Sequence, residues 1–167
     1  MIELVRMRRR DLRRVMAIEQ AVFPEPWSHG VFVSELSLRT GRAYRVARIG
    51  RETVGYVGMM FVDEEAHVTT VAVAPEHQRR GVGTQIMLGA MRIALEKGAR
   101  HVSLEVAVGN KRAQALYRRF GFVPVGIRKG YYQLTGEDAF VMWAYDIDSG
   151  AYHERLARIE EEEARRT

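Results

Sequence analysis

Between Val71 and Thr84 a β-branched stretch meets Ala74-Pro75-Glu76 and then Gln78-Arg79-Arg80-Gly81-Val82-Gly83-Thr84. Two glycines two apart at the mouth of an expected helix leave backbone N–H groups unpaired and pointing forward. The positive end of the helix dipole stands behind them. Glycine tolerates unusual φ and lets an anion approach the backbone, while Arg79 and Arg80 add charge. The combination reads as a diphosphate cradle, although a plain loop with water-facing arginines accounts for the glycines equally well. It is not a P-loop, because no Lys-Ser or Lys-Thr pair follows. Nor is it a dinucleotide fingerprint, because Ile86 stands where the third glycine belongs.

A second candidate group is Glu105 within His101-Val102-Ser103-Leu104-Glu105-Val106. Alternation puts Leu104 and Val106 on one face and Ser103, Glu105 and Ala107 on the other. A carboxylate inside an apolar strand is costly unless it is wet, paired or functional; a solvent-facing glutamate or an arginine's partner fits too. Twelve residues on, Tyr117 falls on an apolar helical stripe, where core packing is the ordinary reading. Together the two would supply a base and an acid beside a ligand held at Gly81–Thr84.

These residues need a scaffold. Residues 2–6 read as a strand and 11–21 as a helix, broken at Phe23-Pro24-Glu25-Pro26-Trp27 because proline restricts its own φ and its predecessor. Ser28 caps a second helix to about Leu38. Strands follow at 44–49, 53–61 and 66–73, with Gly55 and Gly58 marking a bulge or tight packing. A helix then runs from Gly81 to Lys97, a strand over 101–106, a helix over 110–120, and strands over 122–127 and 139–147. The pattern predicts a single α/β domain over residues 1–148, with a mixed, mostly antiparallel sheet flanked by helices. Residues 149–167 form a charged tail, expected as a frayed surface helix.

The chain has 167 residues, 47% of them apolar, enough for one core without staples. No cysteine is present, which removes disulfides, thiolate catalysis and cysteine-bound zinc. His29, His67, His77, His101 and His153 are scattered with no HExxH, so no metal is expected. The net charge of +5 would suit an anionic ligand, nucleic acid or simple solubility. Arg6, Arg8, Arg9, Arg10, Arg13 and Arg14 form a basic run that a nucleic-acid binder would use, yet an amphipathic helix accounts for it. There is neither an 18-residue apolar stretch nor a signal-peptide pattern. A soluble cytoplasmic protein with no membrane or direct nucleic-acid partner is expected.

The ordered motifs resemble the GNAT acetyltransferase superfamily, and within it the RimI-type ribosomal-protein alanine N-acetyltransferases. Gln78-Arg79-Arg80-Gly81-Val82-Gly83 matches the [Q/R]xxGx[G/A] pyrophosphate motif. Phe23-Pro24-Glu25-Pro26-Trp27-Ser28, Leu104-Glu105-Val106 with Asn110, Ala115-Leu116-Tyr117 with Gly121-Phe122, and Arg128-Lys129-Gly130-Tyr131-Tyr132 through Met142 add to it, over residues 2–147. The resemblance implies an acyl-CoA N-acyltransferase fold and an acetyl-coenzyme A cosubstrate held by Arg79, Arg80, Gly81, Val82, Gly83 and Thr84. It further implies that Asn110 positions the cofactor arm and that Val71 and Val73 lie on the strand that pairs with the pantetheine amides. Glu105 takes the place of the general base and Tyr117 of the general acid, while Phe23, Trp27, Tyr131 and Tyr132 wall the acceptor-peptide site. The implied acceptor is a protein N-terminus, foremost an alanine of a small-subunit ribosomal protein. A broader N-terminal or lysine acetyltransferase and a non-catalytic coenzyme A-binding domain are the alternatives. One departure stands out: Ala107 occupies a position where RimI-type chains commonly carry arginine.

Overall fold

Leu12, Val15 and Ile18 recur at helical spacing and are buried, and the Pro24/Pro26 pair stops the helix that carries them. The structure is a computed structural model that describes residues 1–166. Its elements are β1 (Glu3–Arg6), α1 (Leu12–Val22), α2 (His29–Ser37), β2 (Arg42–Ile49), β3 (Glu52–Val62) and β4 (Glu65–Val73). They continue with α3 (Val82–Glu96), β5 (His101–Ala107), α4 (Lys111–Arg119), β6 (Val123–Arg128), β7 (Ala139–Ala144) and α5 (Gly150–Arg166). Short 3₁₀ turns at Arg9–Asp11 and Pro75–His77 precede α1 and α3. Ser28 caps α2, its Oγ accepting from Val31 N at 3.2 Å, as its position before the helix implies.

All seven strands form one sheet in the order β1-β2-β3-β4-β5-β7-β6. Every neighbouring pair is antiparallel except β4 with β5. Two buried clusters cover the sheet. One gathers Leu12, Val15, Ile18 and Phe32 with Tyr44, Val46 and Tyr56. The other gathers Ile86, Met87 and Met91 of α3 with Val54, Val57 and Leu104. This is the expected mixed, mostly antiparallel architecture.

The parallel pair creates the opening. Its ladder ends where His67 faces Ser103, although β4 continues to Val73 and β5 to Ala107. Just past that point β4 is bulged: against β3 the register steps from Val68 opposite Met59 to Thr70 opposite Gly58, leaving Thr69 over. A bulge increases local twist and ends pairing, so β4 and β5 part company there. Gly58 is tied to the same place, because a Cβ on it would lie 2.2 Å from the Tyr44 ring. The Tyr44 hydroxyl in turn sits 3.0 Å from Thr69 Oγ1.

The C-terminal segment corrects the expectation of a frayed surface helix. Tyr152, Leu156, Ile159 and Glu163 fall on one stripe of α5 and are buried, and the first three join the α3 cluster. The Tyr152 hydroxyl donates to Phe120 O at 2.6 Å and Arg155 Nη1 donates to Arg119 O at 3.0 Å. Both acceptors are carbonyls at the end of α4, which have no partner within their own helix. Four consecutive glutamates hid this stripe, since only Glu163 among them turns inward.

Candidate active site

Where β4 and β5 diverge lies a cleft of about 1410 Å³, larger than the roughly 300–1,000 Å³ of a single-ligand pocket and roomy enough for two substrates. Val71 and Val73 contribute from β4, Arg79, Gly81, Gly83 and Thr84 from the turn into α3, and Glu105, Asn110 and Tyr117 from β5 and α4. Phe23 and Trp27 reach it from the loop after α1, and Tyr131 and Tyr132 from the loop between β6 and β7. Two expected residues do not line it. Val82 is buried in the core at the start of α3, so any part it takes in holding a ligand falls to its backbone, while the Arg80 side chain is exposed.

The turn has the conformation its glycines were read to permit. Arg79 has φ +66° and Gly81 φ +80°, the left-handed region, which costs a non-glycine residue about 1 kcal/mol or more. Gly81 is the N-cap of α3 and no side chain caps the helix, so its first-turn N–H groups are left for a ligand. Space reinforces the choice of glycine, because a Cβ at residue 81 would lie 2.9 Å from Glu163 Oε2. Gln78 Nε2 donates to Val73 O at 3.1 Å and ties the turn back to the end of β4. The Asn110 side chain is partly committed elsewhere: its Oδ1 accepts from Ala113 N at 3.2 Å as the N-cap of α4.

Glu105 is held between His67 of the neighbouring strand β4 and Arg128 of β6, which lies beyond β7. His67 Nε2 on β4 lies 3.0 Å from Oε2, and Arg128 Nη1 on β6 donates to Oε1 at 3.1 Å. His67 Nδ1 is 2.8 Å from Ser103 Oγ, which fixes the ring. Burial alone would raise the Glu105 pKa, but the His67 hydrogen bond and the charges of His67 and Arg128 outweigh it and hold the carboxyl below its usual range. Tyr117 is buried, and burial followed by the nearby Tyr132 pushes its phenol well above the usual value. Its hydroxyl makes no hydrogen bond with a described residue. Tyr131 and Tyr132 meet edge to face at 5.0 Å, and burial with the charges around it raises Tyr132 to about 12.

Residues 12–122 match the family described as Acetyltransferase (GNAT). The chain belongs to the GNAT acetyltransferase family. Over 140 residues it is 36% identical to an N-alpha-acetyltransferase RimI of Mycobacterium tuberculosis, covering 80% of this chain and 86% of that one. It is 31% identical over 145 residues to an N-alpha-acetyltransferase of Saccharolobus solfataricus, covering 79% and 86% respectively. The crystal structure of the ribosomal-protein-S18-alanine N-acetyltransferase from Escherichia coli superposes with a TM-score of 0.80 at 28% identity, covering 87% of this chain and 94% of that one.

Three residues of this GNAT acetyltransferase's cleft are given no role by the sequence alone, although Glu25 lies within the Phe23–Ser28 motif. His67 looked like one of five scattered histidines; only the β4–β5 register places it opposite Ser103 and against Glu105. Glu25 Oε2 is buried with no hydrogen-bond partner among the described residues, although Glu25 lines the cleft. Glu19 is 1% exposed. It accepts from Trp27 N at 2.8 Å and from the Tyr56 hydroxyl, with Thr70 Oγ1 at 3.5 Å. Burial raises its pKa against those lowering hydrogen bonds. Glu19 therefore fastens the Phe23–Trp27 loop to the sheet. Glu19→Ala would strand the Tyr56 hydroxyl and Trp27 N–H, so a loss of about 2–4 kcal/mol in urea unfolding is expected.

Another carboxylate–histidine group, Glu52 with Glu76 and His77, comes together at the surface. Arg14 Nη2 already lies 2.5 Å from Glu76 and 3.9 Å from Glu52, so the group holds a cation of the chain's own. The cation beside Glu105 likewise comes from Arg128 rather than from residue 107. Ala107 lines the cleft and its carbonyl accepts from Gln114 Nε2 at 3.0 Å.

Proposed function

We propose that this acetyltransferase moves the acetyl group of acetyl-coenzyme A onto the α-amino group of a protein N-terminus, foremost an alanine of a small-subunit ribosomal protein. The observation that carries the reading is one continuous cleft. It joins an uncapped helix N-terminus to an aromatic acceptor mouth, with a paired carboxylate and an unbonded phenol between them. The RimI relative and the Escherichia coli enzyme, named for S18 alanine, support the acceptor class.

The residues present fit the cosubstrate. The first-turn amides of α3 and the positive charge of Arg79 suit a diphosphate, and the β4 backbone beyond His67 has no ladder partner on the β5 side. Acetyl-coenzyme A supplies the thioester carbonyl that the amine attacks, so that an N–C bond forms as the C–S bond breaks. The amine's proton passes to the Glu105–His67 pair, either directly or through water. Tyr117 gives its proton to the departing sulfur. With an α-amino pKa of roughly 7.7–8.0, a good share of acceptor is already neutral at physiological pH, so a base as weak as Glu105 suffices. A lysine ε-amine, at roughly 10.4, would ask more of it. Glu25, with an oxygen buried and unpartnered at the acceptor mouth, suits an incoming ammonium.

The test is incubation with acetyl-coenzyme A and peptides differing at residue one, with mass spectrometry locating the acetyl group. Alanine-first peptides should lead. Comparable rates on Ser, Thr and Met would make the enzyme a broad N-terminal one, a reading that Ala107 in place of arginine favours. Acetylation of internal lysine would overturn the α-amino assignment.

The pH profile offers a further check. Arg128→Gln removes a positive charge from Glu105 Oε1, so the Glu105 pKa should rise and the Glu105 contribution to the acid limb of kcat/KM, distinct from that of the acceptor amine, should move to higher pH. Arg128 is 58% exposed, so solvent screens the pair and the move should be modest, shrinking as salt is added.

A further inference from the structure

Three arginines line the cleft from three elements: Arg79 from the turn before α3, Arg112 from α4 and Arg166 from the last turn of α5. The last lies far outside the matched residues 12–122. What brings it there is Glu163, 4% exposed, whose Oε2 stands 2.9 Å from the point where a Cβ of Gly81 would be. The same point lies 3.9 Å from Arg166 Nη1. The end of α5 is thus packed against the back of the turn that the proposed function assigns to the diphosphate.

The charges around Glu163 are unequally shared. Arg119 Nη1 donates to Glu163 Oε1 at 2.7 Å, and Arg119 Nη2 donates to Glu162 at 2.6 Å. Arg166 reaches the same carboxylate only through Nη1, at 3.3 and 3.4 Å. Arg119 therefore neutralises the buried carboxylate, while Nε and Nη2 of Arg166 bond no described residue. Arg166 is 58% exposed, so this guanidinium sits at the rim of the cleft with donors to spare.

Coenzyme A presents two kinds of phosphate. Its internal diphosphate carries one charge per phosphorus, which amides at a helix start accommodate. Its ribose 3′-phosphate is a terminal monoester of roughly −1.5 to −2 charge at pH 7, which stays near solvent and is best met by a guanidinium fork. We propose that Arg166 binds this 3′-phosphate and that α5 is the arm that carries it to the cofactor end of the cleft. The proposal rests on the acetyl-coenzyme A reading above.

The experiment is titration calorimetry of wild type, Arg166→Ala and Arg166→Lys with acetyl-coenzyme A and with its 3′-dephospho analogue, at low and high salt. Arg166 ends the helix and is exposed, so both variants should melt with the wild type. Arg166→Ala should weaken acetyl-coenzyme A binding roughly three- to tenfold at low salt and less at high salt. Arg166→Lys should recover part of the loss. Wild type and Arg166→Ala should bind the dephospho analogue alike. Equal affinity of wild type and Arg166→Ala for acetyl-coenzyme A overturns the proposal, and an equal loss with both ligands overturns the 3′-phosphate assignment. In each case acetyl transfer by the wild type leaves the proposed function standing. A wild type that binds neither ligand sinks both.

Discussion

Glu105→Gln should lower kcat/KM for an alanine-first peptide about 100-fold near pH 6.5, within the usual range for losing a general base, and by much less at pH 9. The amide keeps the shape of the carboxylate between His67 and Arg128, so the change removes proton affinity and charge rather than packing. Its pH dependence separates two demands on the base. At pH 6.5 only about one α-amine in twenty is neutral, whereas at pH 9 nearly all are. A Glu105 that helps an incoming ammonium lose its proton is most needed at the lower pH. The proton released as the N–C bond forms must leave at every pH, and it sets whatever deficit remains at pH 9. Because His67 and Arg128 hold the Glu105 pKa low, the wild-type carboxylate stays ionised across this range and should add no acid limb of its own above about pH 5. A deficit below about threefold at every pH would remove Glu105 as the base and leave His67 to be tested in its place.

The parts of the site legible in the sequence are those that local chemistry specifies. Gly81 and Gly83 declare the turn because only a nearby run of residues is needed to leave amides free, and the φ of Gly81 agrees. Glu105 stands out because an acid in an apolar strand demands an explanation. His67 does not, since its meaning comes from a strand-to-strand register and from the place where that ladder stops. Periodicity assigns a residue to a face but never names the strand alongside. Glu19 was hidden for the same reason: on α1 it resembles any helical glutamate until Tyr56 and Trp27 are brought to it. The tail shows how composition can mislead. A row of glutamates reads as solvated, yet two of them pair with Arg119 and one of these, Glu163, is buried against the turn, and Tyr152 supplies the apolar and polar anchor that the Leu156–Ile159 pair alone did not advertise.

Tyr117→Phe should fold like the wild type and bind acetyl-coenzyme A equally well, yet turn over roughly 10- to 100-fold more slowly. The structural half of this expectation follows from what the hydroxyl does not do. The ring is buried and packs at 6.0 Å from Phe122, but its oxygen has no protein hydrogen bond among the described residues, so phenylalanine strands no partner. Tyr152 provides the contrast: its hydroxyl donates to Phe120 O, and Tyr152→Phe should cost about 1 kcal/mol or more in unfolding while sparing the chemistry. The catalytic half turns on proton affinity. A thiol near 8.5 and a phenol near 10 differ by about 1.5 units, or about 2 kcal/mol, and burial raises Tyr117 further. Complete transfer before the C–S bond breaks is therefore unfavourable, and the useful contribution is a hydrogen bond to sulfur that becomes transfer as charge accumulates there. That places the expected loss at the low end of general-acid effects. The same raised pKa keeps the phenol protonated, so the wild type should show no alkaline fall in kcat from Tyr117 below about pH 10. Turnover by a folded Tyr117→Phe protein within about threefold of wild type would leave the phenol a packing residue and require another donor for the thiolate.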